Sequence, residues 1–256
     1  MKPLRTLDAH AVRFVLLDID DTLTTHGKLT AEAYAALQAL KRAGKTVIPV
    51  TGRPAGWCDH IARMWPVDAV IGENGAFYFW FAEGKFGKRF IEDPPTRARK
   101  RALLDAVKNR ILKEVPWAAV ASDQPYRETD LAIDFCEDVG PFSLDEAERI
   151  ARLMREAGLT AKISSIHVNG WFGDYDKLAT ARTLFAERFG LDLDDANRTV
   201  VFVGDSPNDA PMFSFFENSV GVANVQRFPG LQPKFVTAGE AGAGFAELAQ
   251  HLQSGA

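Results

Sequence analysis

Apolar runs alternate with helical periods along the first part of the chain. The runs "VRFVLL", "TVIPVTG" and "DAVIGENGA" predict three strands, the last of which is short and ends in a turn. The segments between them, "TAEAYAALQALKRAG" and "PAGWCDHIARMW", have helical periodicity, with Thr30 as the N-cap of the first helix and Gly44 as its stop. This alternation predicts a parallel sheet covered by helices on both faces.

The pattern changes near residue 80. A predicted hairpin, "FYFWFAEGKFGKRFI", has Gly84 and Gly87 near its turn, and a basic helix over "TRARKRALLDAVKNRILKEV" follows. Further strands are predicted at "WAAVAS", "LAIDFCE" and "TAKISSIHV", with a helix over "SLDEAERIARLMREAG" before the last of them. This block, from about residue 80 to about residue 170, predicts a separate α+β unit.

From "DKLATARTLFAERFG" onward the alternation of helix and strand returns. "RTVVFVGD" predicts a strand, "PNDAPMFSFF" a helix, and "SVGVA" and "KFVTA" two short strands. The predicted fold class is therefore α/β, with a doubly wound, Rossmann-like parallel core and an inserted α+β domain. The predicted core comprises residues 1–82 and 170–256, and the predicted insertion comprises residues 83–169.

Composition narrows the class of protein. Hydrophobic residues make up 46% of the chain, and the net charge of −4 gives no general attraction to nucleic acid or to an anionic membrane. The longest apolar run, "AFYFWFA", is too short to span a bilayer, and the first residues show no signal-like apolar core. Cys58 and Cys136 match no metal or redox spacing and are expected to be reduced thiols. We therefore expect a cytoplasmic protein without a nucleic-acid or membrane partner.

Three aspartates follow the first predicted strand within four residues, in "DIDDTLT". Asp18 and Asp20 are two positions apart, so extended backbone would place them on one face just past the carboxyl end of the strand. Ligands bind at that edge in open α/β sheets. Neighbouring carboxylates raise each other's pKa unless a cation is present, and oxygen ligands suit Mg²⁺. Taken alone, the segment is equally consistent with a polar turn that caps the next helix.

Three other motifs are excluded by spacing. An EF-hand loop that started at Asp18 would have Leu23 and Leu29 where Gly and Glu are required. The "GKT" at residues 44–46 has Ala39 at the first P-loop glycine position, and it follows a helix rather than a strand. "GDSPN" lacks the second Gly of a serine-hydrolase elbow.

Further polar residues stand at the ends of other predicted elements. In "VFVGDSPND", Asp205 and Asp209 surround a turn that also carries Asn208. "VIPVTG" ends with Thr51, whose hydroxyl can donate to a phosphate oxygen. Lys177 begins a helix in "DYDKLA", where a cation needs a compensating anion. Each of these residues alone is more often structural, but together they predict a metal-and-phosphate site.

These segments resemble a known family. "DIDDTLT", "VTGRP", Lys177 and "GDSPND" resemble the four motifs of the haloacid dehalogenase (HAD) superfamily of phosphotransferases. The inserted unit is similar to the large α/β cap of subfamily IIB, the Cof-like and sugar-phosphatase branch, which includes sucrose-phosphatase-like and mannosyl-3-phosphoglycerate phosphatase-like proteins. "GENGAF" resembles the Asn-Gly-Ala turn of that branch, whereas Leu178 stands where the branch often has Gly.

The resemblance implies a role for each motif residue. Asp18 would be the nucleophile that forms an aspartyl-phosphate, and Asp20 would protonate the leaving group and then deprotonate water. Mg²⁺ is the implied cofactor. The implied metal-binding residues are Asp18, Asp20 (through its backbone carbonyl), Asp205 and Asp209. The implied phosphate-binding residues are Thr51, Gly52, Lys177 and Asn208.

Four residues are candidates for substrate specificity. Arg53 adjoins the phosphate segment, and Arg127, His167 and Asn169 lie in the inserted unit. An Arg could clamp a second anionic group, and His and Asn could bind sugar hydroxyls. A solvated surface charge is the competing interpretation for Arg127, as an ordinary polar strand position is for His167.

The resemblance leads to one main hypothesis and two alternatives. The main hypothesis is a Mg²⁺-dependent phosphomonoesterase that acts on a small phosphorylated metabolite, with a sugar phosphate as the expected substrate class. The first alternative is a phosphomutase or phosphotransferase that uses the same aspartyl-phosphate. The second is a non-catalytic sensor of a phosphorylated ligand. The sequence leaves the oligomeric state open between monomer and dimer.

Overall fold

The computed structural model describes residues 1–253, in which thirteen strands and eight α-helices form. The strands are β1 (Lys2–Pro3), β2 (Phe14–Leu17), β3 (Thr46–Pro49), β4 (Val70–Gly72), β5 (Phe77–Ala82), β6 (Lys85–Phe90), β7 (Ala119–Val120), β8 (Asp130–Asp134), β9 (Thr160–Ile163), β10 (His167–Trp171), β11 (Val200–Gly204), β12 (Asn218–Gly221) and β13 (Phe235–Val236). The helices are α1 (Ala31–Arg42), α2 (Ala55–Met64), α3 (Pro94–Glu114), α4 (Leu144–Glu156), α5 (Lys177–Leu184), α6 (Leu193–Ala196), α7 (Ala210–Phe215) and α8 (Ala241–Gln253).

The main sheet has six parallel strands in the order β1-β13-β12-β11-β2-β3. The predicted parallel core is therefore confirmed. An isolated parallel bridge between Val50 and Ile71 brings β4 beside this sheet, and β4, β5 and β6 form a three-stranded antiparallel sheet. Strand β2 lies between β11 and β3, so the residues that follow β2 are flanked by the carboxyl ends of both neighbours.

Helices cover both faces of the main sheet because side chains alternate along each strand. Val15 and Leu17 of β2 pack in one apolar cluster with residues of α1 and α8. Phe14 and Leu16 point to the opposite face and pack with residues of α5 and α7. Strand β2 is thus buried on both sides, as its uninterrupted apolar sequence predicts.

The inserted unit, which we call the cap, consists of α3, α4 and a four-stranded antiparallel sheet in the order β7-β8-β10-β9. Leu131, Ile133 and Val168 of its central strands pack against the two helices. The alternate positions of these strands point the other way, and several of them carry buried polar side chains: Asp130, Asp134, His167 and Asn169. A polar face of the cap sheet is therefore buried against the core.

The prediction of a single strand over "TAKISSIHV" is wrong. The segment forms β9 and β10, which pair antiparallel and are joined by a turn at residues 164–166. The Ser164 hydroxyl accepts hydrogen bonds from the backbone N–H groups of Ile166, at 3.3 Å, and His167, at 3.0 Å. A serine side chain that replaces backbone acceptors in this way favours a turn over a continuous strand.

Other elements differ in extent from the sequence pattern. Helix α7 begins only at Ala210, because Pro207–Asp209 form a 3₁₀ turn. Strand β1 and helix α8 are not among the predicted elements. The predicted domain boundary after residue 82 falls in the turn between β5 and β6, and the predicted boundary after residue 169 falls within β10. Both boundaries stay predictions. None of the described helices is long and apolar enough to cross a membrane.

Candidate active site

The predicted motif residues converge at the carboxyl edge of the main sheet. Asp18 directly follows β2, Asp205 directly follows β11, and Thr51 follows β3 by two residues. These three strands are parallel neighbours, so their ends lie side by side. Asp209 reaches the same place from the 3₁₀ turn after β11, and Lys177 from the first position of α5.

Three buried carboxylates and one ammonium form the centre of the site. Asp18, Asp205 and Asp209 each offer an oxygen atom, and these atoms lie within 4.8 Å of one another. The Lys177 Nζ atom lies 2.7 Å from Asp18 Oδ1 and 2.8 Å from Asp209 Oδ1. When all four groups are ionised, two negative charges remain uncompensated, so the set fits a divalent cation with oxygen ligands.

Burial sets the electrostatics of these groups. It raises the pKa of Asp18 to about 8, against the lowering effect of Lys177, while Asp209 and Asp20 raise it further. Burial, together with Asp18 and Asp209, also raises the pKa of Asp205. Burial would lower the pKa of Lys177, but Asp18 and Asp209 raise it above its ordinary value, so the amine stays protonated. A bound cation would favour the ionised carboxylates.

Neutral groups hold two of the carboxylates in place. Asp205 accepts hydrogen bonds from the Thr22 hydroxyl at 3.2 Å and from Asn224 Nδ2 at 3.1 Å. Asp209 Oδ2 accepts the backbone N–H of Asp205 at 3.1 Å. A Cβ atom at Gly204 would lie only 2.4 Å from Asp209 Oδ2, so this approach requires glycine.

Asp20 lies apart from the three grouped carboxylates and contacts Arg53. The Arg53 Nε atom donates to Asp20 at 3.0 Å and its Nη2 atom donates to Asp20 Oδ1 at 2.8 Å. This side-on pairing fixes the plane of the carboxylate. A metal contact through the Asp20 backbone carbonyl stays a prediction.

Two of the four predicted phosphate-binding residues, Gly52 and Asn208, line a narrow cavity at Asp18. Its walls include Asp18, Asp20, Gly52, Ser206 and Asn208 from the core. Thr51 is fully buried and is not part of this lining, and its hydroxyl accepts the backbone N–H of Arg53 at 3.1 Å.

Asn74 adds a donor that the motif pattern does not assign. Its Nδ2 atom is buried and makes no hydrogen bond within the described part of the chain. This atom would lie 3.1 Å from a Cβ placed on Gly52, and Asn74 lines a second small cavity together with Lys177 and Asn208. A buried donor without a partner beside these residues is available to an anion.

The four predicted specificity residues all lie in the wall of the narrow cavity. Arg127 is held by the protein, since it donates to Asp123 at 2.9 and 3.0 Å, to Asp130 at 3.1 Å and to the Gly52 carbonyl at 2.9 Å. Asn169 Nδ2 donates to Asp130 at 2.9 Å. A substrate contact of Arg127 stays a prediction, and it would require Arg127 to give up one of these bonds.

Arg53 connects the core to the cap. Besides Asp20 it contacts two cap carboxylates, Glu137 at 2.6 Å and Asp123 at 3.4 Å, and its guanidinium carbon lies 4.3 Å from the centre of the Trp57 ring. The His167 Nε2 atom lies 2.9 Å from Glu137 Oε2 without hydrogen-bond alignment.

Glu73 forms a second joint between core and cap. It follows β4 in the core, is fully buried, and its Oε1 atom accepts the N–H of Ala55 in the core at 2.9 Å. The same carboxylate accepts the backbone N–H groups of Glu128, at 2.8 Å, and Thr129, at 2.6 Å, in the cap segment before β8. We call this set of contacts the Glu73 joint.

The Glu73 joint is expected to make stability depend on pH. Burial and Asp130 raise the pKa of Glu73 from 4.5 to about 7, so between these values the folded chain holds a proton that the unfolded chain has released. The stabilisation from this group is therefore present at low pH and is lost as pH rises through 7. In the wild type, this group should lower the free energy of unfolding by roughly 1 to 3 kcal/mol between the two pKa values. Glu73→Gln should lack this decrease, as measured by urea titration at several pH values.

The test compares how steeply the free energy of unfolding changes with pH in the two proteins. The absolute values are not compared, because Gln cannot accept all the hydrogen bonds of the joint and should lower stability at every pH. Glu156→Gln, on the exposed side of α4, is the matched control and should keep the wild-type slope. Parallel pH curves for Glu73→Gln and wild type would contradict the prediction.

Several residues of the site carry no signal in the motif pattern. Thr22 lies within "DIDDTLT", where a cap on the next helix was the competing interpretation, and it contacts Asp205 instead. Asn224 follows β12 without a motif, and Glu73 is visible only as part of "GENGAF". Asp123 and Glu137 are ordinary acidic loop residues in the sequence. Only the packing of cap on core gives them a common partner, Arg53.

Both the sequence and the fold of this chain are similar to those of known proteins. The sequence model of the haloacid dehalogenase-like hydrolases matches residues 12–215. A Plasmodium vivax protein of the HAD/COF-like hydrolase type has a TM-score of 0.71 at 17% identity, over 97% of this chain and 98% of that chain. A phosphatase of the superfamily from Bacteroides thetaiotaomicron has a TM-score of 0.63 at 22% identity, over 95% and 96% of the two chains.

The sucrose-phosphatase from Synechocystis sp., solved with sucrose and phosphate, has a TM-score of 0.62 at 13% identity, over 93% of this chain and 97% of that chain. At these identities the likeness concerns the fold, a Rossmann-like core with a cap. No curated protein matches the sequence significantly.

Proposed function

Because the chain belongs to the haloacid dehalogenase-like hydrolase family, we propose that it is a Mg²⁺-dependent phosphomonoesterase of the Cof-like and sugar-phosphatase branch. The proposed substrate is a small phosphorylated metabolite, with a sugar phosphate as its class. The observation that carries the proposal is the contact of Lys177 with both Asp18 and Asp209, beside Asp205. A phosphate dianion is repelled by bare carboxylates, so a carboxylate nucleophile must be surrounded by cationic groups.

The proposed reaction has two steps, and each moves one proton through Asp20. In the first, an oxygen of Asp18 attacks phosphorus, the bond from phosphorus to the leaving oxygen breaks, and Asp20 gives its proton to that oxygen. In the second, Asp20 takes a proton from water, whose oxygen attacks the aspartyl-phosphate. The bond from phosphorus to the Asp18 oxygen breaks, so inorganic phosphate leaves and the Asp18 carboxylate is regenerated. Arg53 supports both steps because its paired contacts orient the Asp20 carboxylate.

Other residues of the chain would bind the phosphoryl group. Lys177 would neutralise part of its charge while it holds Asp18 in place. Thr51, Gly52 and Asn208 would donate to the phosphoryl oxygens, as would the unpaired amide of Asn74. Asp18, Asp205 and Asp209, with the backbone carbonyl of Asp20, would hold Mg²⁺, which when bound supplies a Lewis acid that lowers the repulsion between substrate and nucleophile.

Oxygen labelling tests the reaction class. Hydrolysis in ¹⁸O-water should place one solvent oxygen in each phosphate released from a sugar monophosphate, detected by mass spectrometry. Transfer of unlabelled phosphate to a second sugar would instead indicate a phosphomutase or phosphotransferase. A complete lack of turnover with a broad panel of phosphorylated metabolites would indicate a sensor and contradict the proposal.

Metal dependence is a separate expected result. Dialysis against a chelator should abolish phosphate release and added Mg²⁺ should restore it, because the grouped carboxylates bear excess negative charge. Asp205→Asn should raise the Mg²⁺ concentration for half-maximal activity by about tenfold or more, since it removes one charged ligand. Asp105→Asn, on the exposed face of α3, is the control and should behave as wild type. Full activity of the wild type in excess chelator would contradict metal dependence.

The cytoplasmic location, the lack of a nucleic-acid or membrane partner, and an oligomeric state of monomer or dimer stay predictions from the sequence.

A further inference from the structure

The site has a second compartment beside the narrow cavity that lies above Asp18. This wider opening, which we call the mouth, is lined by residues of both the core and the cap. It shares Asp20, Arg53, Ser165 and Ile166 with the narrow cavity. Because Asp20 lines both spaces and is the proposed proton donor to the leaving oxygen, the rest of the leaving group would extend past Asp20 toward the mouth.

The mouth carries excess negative charge. Its lining has two cations, Lys28 and Arg53, against three carboxylates, Asp21, Glu137 and Asp138, besides Asp20, which is neutral while it acts as the acid. The Arg53 guanidinium already contacts Asp20, Asp123 and Glu137. A second anionic group of a substrate would therefore have to displace one of these carboxylates from Arg53 and would still face the others.

Glu137 is held rigidly at this position. Asp134, at the end of β8, accepts the backbone N–H groups of Cys136, Glu137 and Asp138, all at 2.8 to 2.9 Å. The Glu137 side chain is 27% exposed and bridges Arg53 and His167. Burial would raise its pKa, but His167 and Arg53 lower it to about 2, so Glu137 is an anion at neutral pH.

We propose that Glu137 is a specificity-determining residue that selects leaving groups which are uncharged and carry hydroxyls, and that rejects a second anionic group near the phosphoester. The inference rests on the proposed phosphatase function and adds the charge class of its substrate. Ionised carboxylates are acceptors only, so Glu137 can accept hydrogen bonds from hydroxyl groups while it repels carboxylate or phosphate substituents. His167, whose Nε2 atom lies 2.9 Å from Glu137, adds a buried ring nitrogen without an aligned partner in the wall of the neighbouring narrow cavity.

Two matched pairs of substrates test the proposal. Glycerol 3-phosphate and 3-phosphoglycerate differ only by a hydroxymethyl group in place of a carboxylate close to the ester, and sorbitol 6-phosphate and 6-phosphogluconate differ in the same way farther from it. We expect kcat/KM of the wild type to favour the uncharged member by about tenfold or more in at least one pair. Glu137→Gln should lower that ratio about fivefold or more, mainly through KM of the anionic member.

Glu148→Gln is the matched control, since Glu148 pairs with Arg155 on the exposed side of α4, and it should keep the wild-type ratio. Glu137→Ala provides a second variant in case Gln keeps Arg53 in place, and it should lower the ratio in the same direction. Equal efficiencies in both pairs, a preference for the anionic members, or an unchanged ratio in both Glu137 variants would overturn the inference while leaving the phosphatase function intact. Phosphate release by wild type from other members of the metabolite panel, but from none of these four substrates, would overturn the inference alone. No release from the whole panel would overturn the proposed function, and this inference with it.

Discussion

Replacing Asp18 by Asn is expected to reduce kcat for phosphate release by about 10⁴-fold or more, because an amide oxygen cannot form the phosphoryl ester that the proposed mechanism requires. Asn has nearly the same shape, and its Oδ1 atom can still accept the Lys177 ammonium, which donates to Asp18 Oδ1 at 2.7 Å. The loss should therefore appear in the chemistry and not in the fold. Steady-state phosphate release measures kcat, and mass spectrometry of the acid-quenched enzyme shows whether the phosphoryl ester forms.

The wild type should show a mass increase of one phosphoryl group on the peptide that contains Asp18, and Asp18→Asn should not. The melting temperature of the variant should stay close to that of wild type, or rise, because the substitution removes one of three clustered carboxylates. Asp105→Asn controls for the loss of a single negative charge. Phosphate release at the wild-type rate by Asp18→Asn would rule out the nucleophile assignment.

Replacing Lys177 by Met is expected to have the second largest effect, on both stability and activity. The Lys177 side chain is 5% exposed and its ammonium is the partner of both Asp18 and Asp209, so its removal leaves two buried carboxylates close together. Breaking a buried pair from one side typically destabilises a protein by about 3 to 5 kcal/mol. We expect a loss of about that size in the free energy of unfolding in the presence of a chelator, and a fall in kcat/KM of about 10³-fold.

The pH dependence of this loss follows from the signs of the pKa shifts. Without Lys177 the pKa of Asp18, already raised by burial, should rise further, so the folded state binds protons more tightly than the unfolded state. The destabilisation should then be smaller at pH 5 than at pH 8, and added Mg²⁺ should reduce it at pH 8. Lys113→Met, at an exposed position of α3, is the control. Equal stability of Lys177→Met and wild type at pH 8 in chelator would show that the ion pairs contribute little.

The sequence predicts the core better than the interface between core and cap. "FVLL" within "VRFVLL" is apolar at every position, which favours a strand covered on both faces, and β2 (Phe14–Leu17) is such a strand. The edge of a parallel sheet then brings Asp18, Thr51 and Asp205 together without further information. Local pattern and topology thus suffice for this part of the site.

Contacts between core and cap depend on how two separately folded surfaces meet, which no local pattern encodes. Arg53 follows a strand in the core, and its partners Asp123 and Glu137 lie 70 and 84 positions away in cap loops. The Glu73 joint and the hydrogen bonds of Arg127 are of the same kind. The turn at Ser164 could not be predicted from the local pattern, because its flanking residues favour strands. Only the hydrogen bonds to the Ser164 hydroxyl show that the strand ends there. Helix α8 is rich in Ala and Gly, a composition that weakens the apolar period even though Phe245, Leu248 and Leu252 are fully buried.

The contact between Lys177 and Asp18 joins positions 159 residues apart, and that between Thr22 and Asp205 joins positions 183 apart. Closing such long loops costs conformational entropy, and this cost is offset only once β2 and β11 have paired. The cap lies between these two strands in the sequence. We therefore expect the carboxylate centre to form late in folding. The site is complete only in the finished fold, because Asn224 is one of the residues that hold Asp205 in place. A nascent chain that has not yet been synthesised as far as Asn224 therefore lacks the complete site.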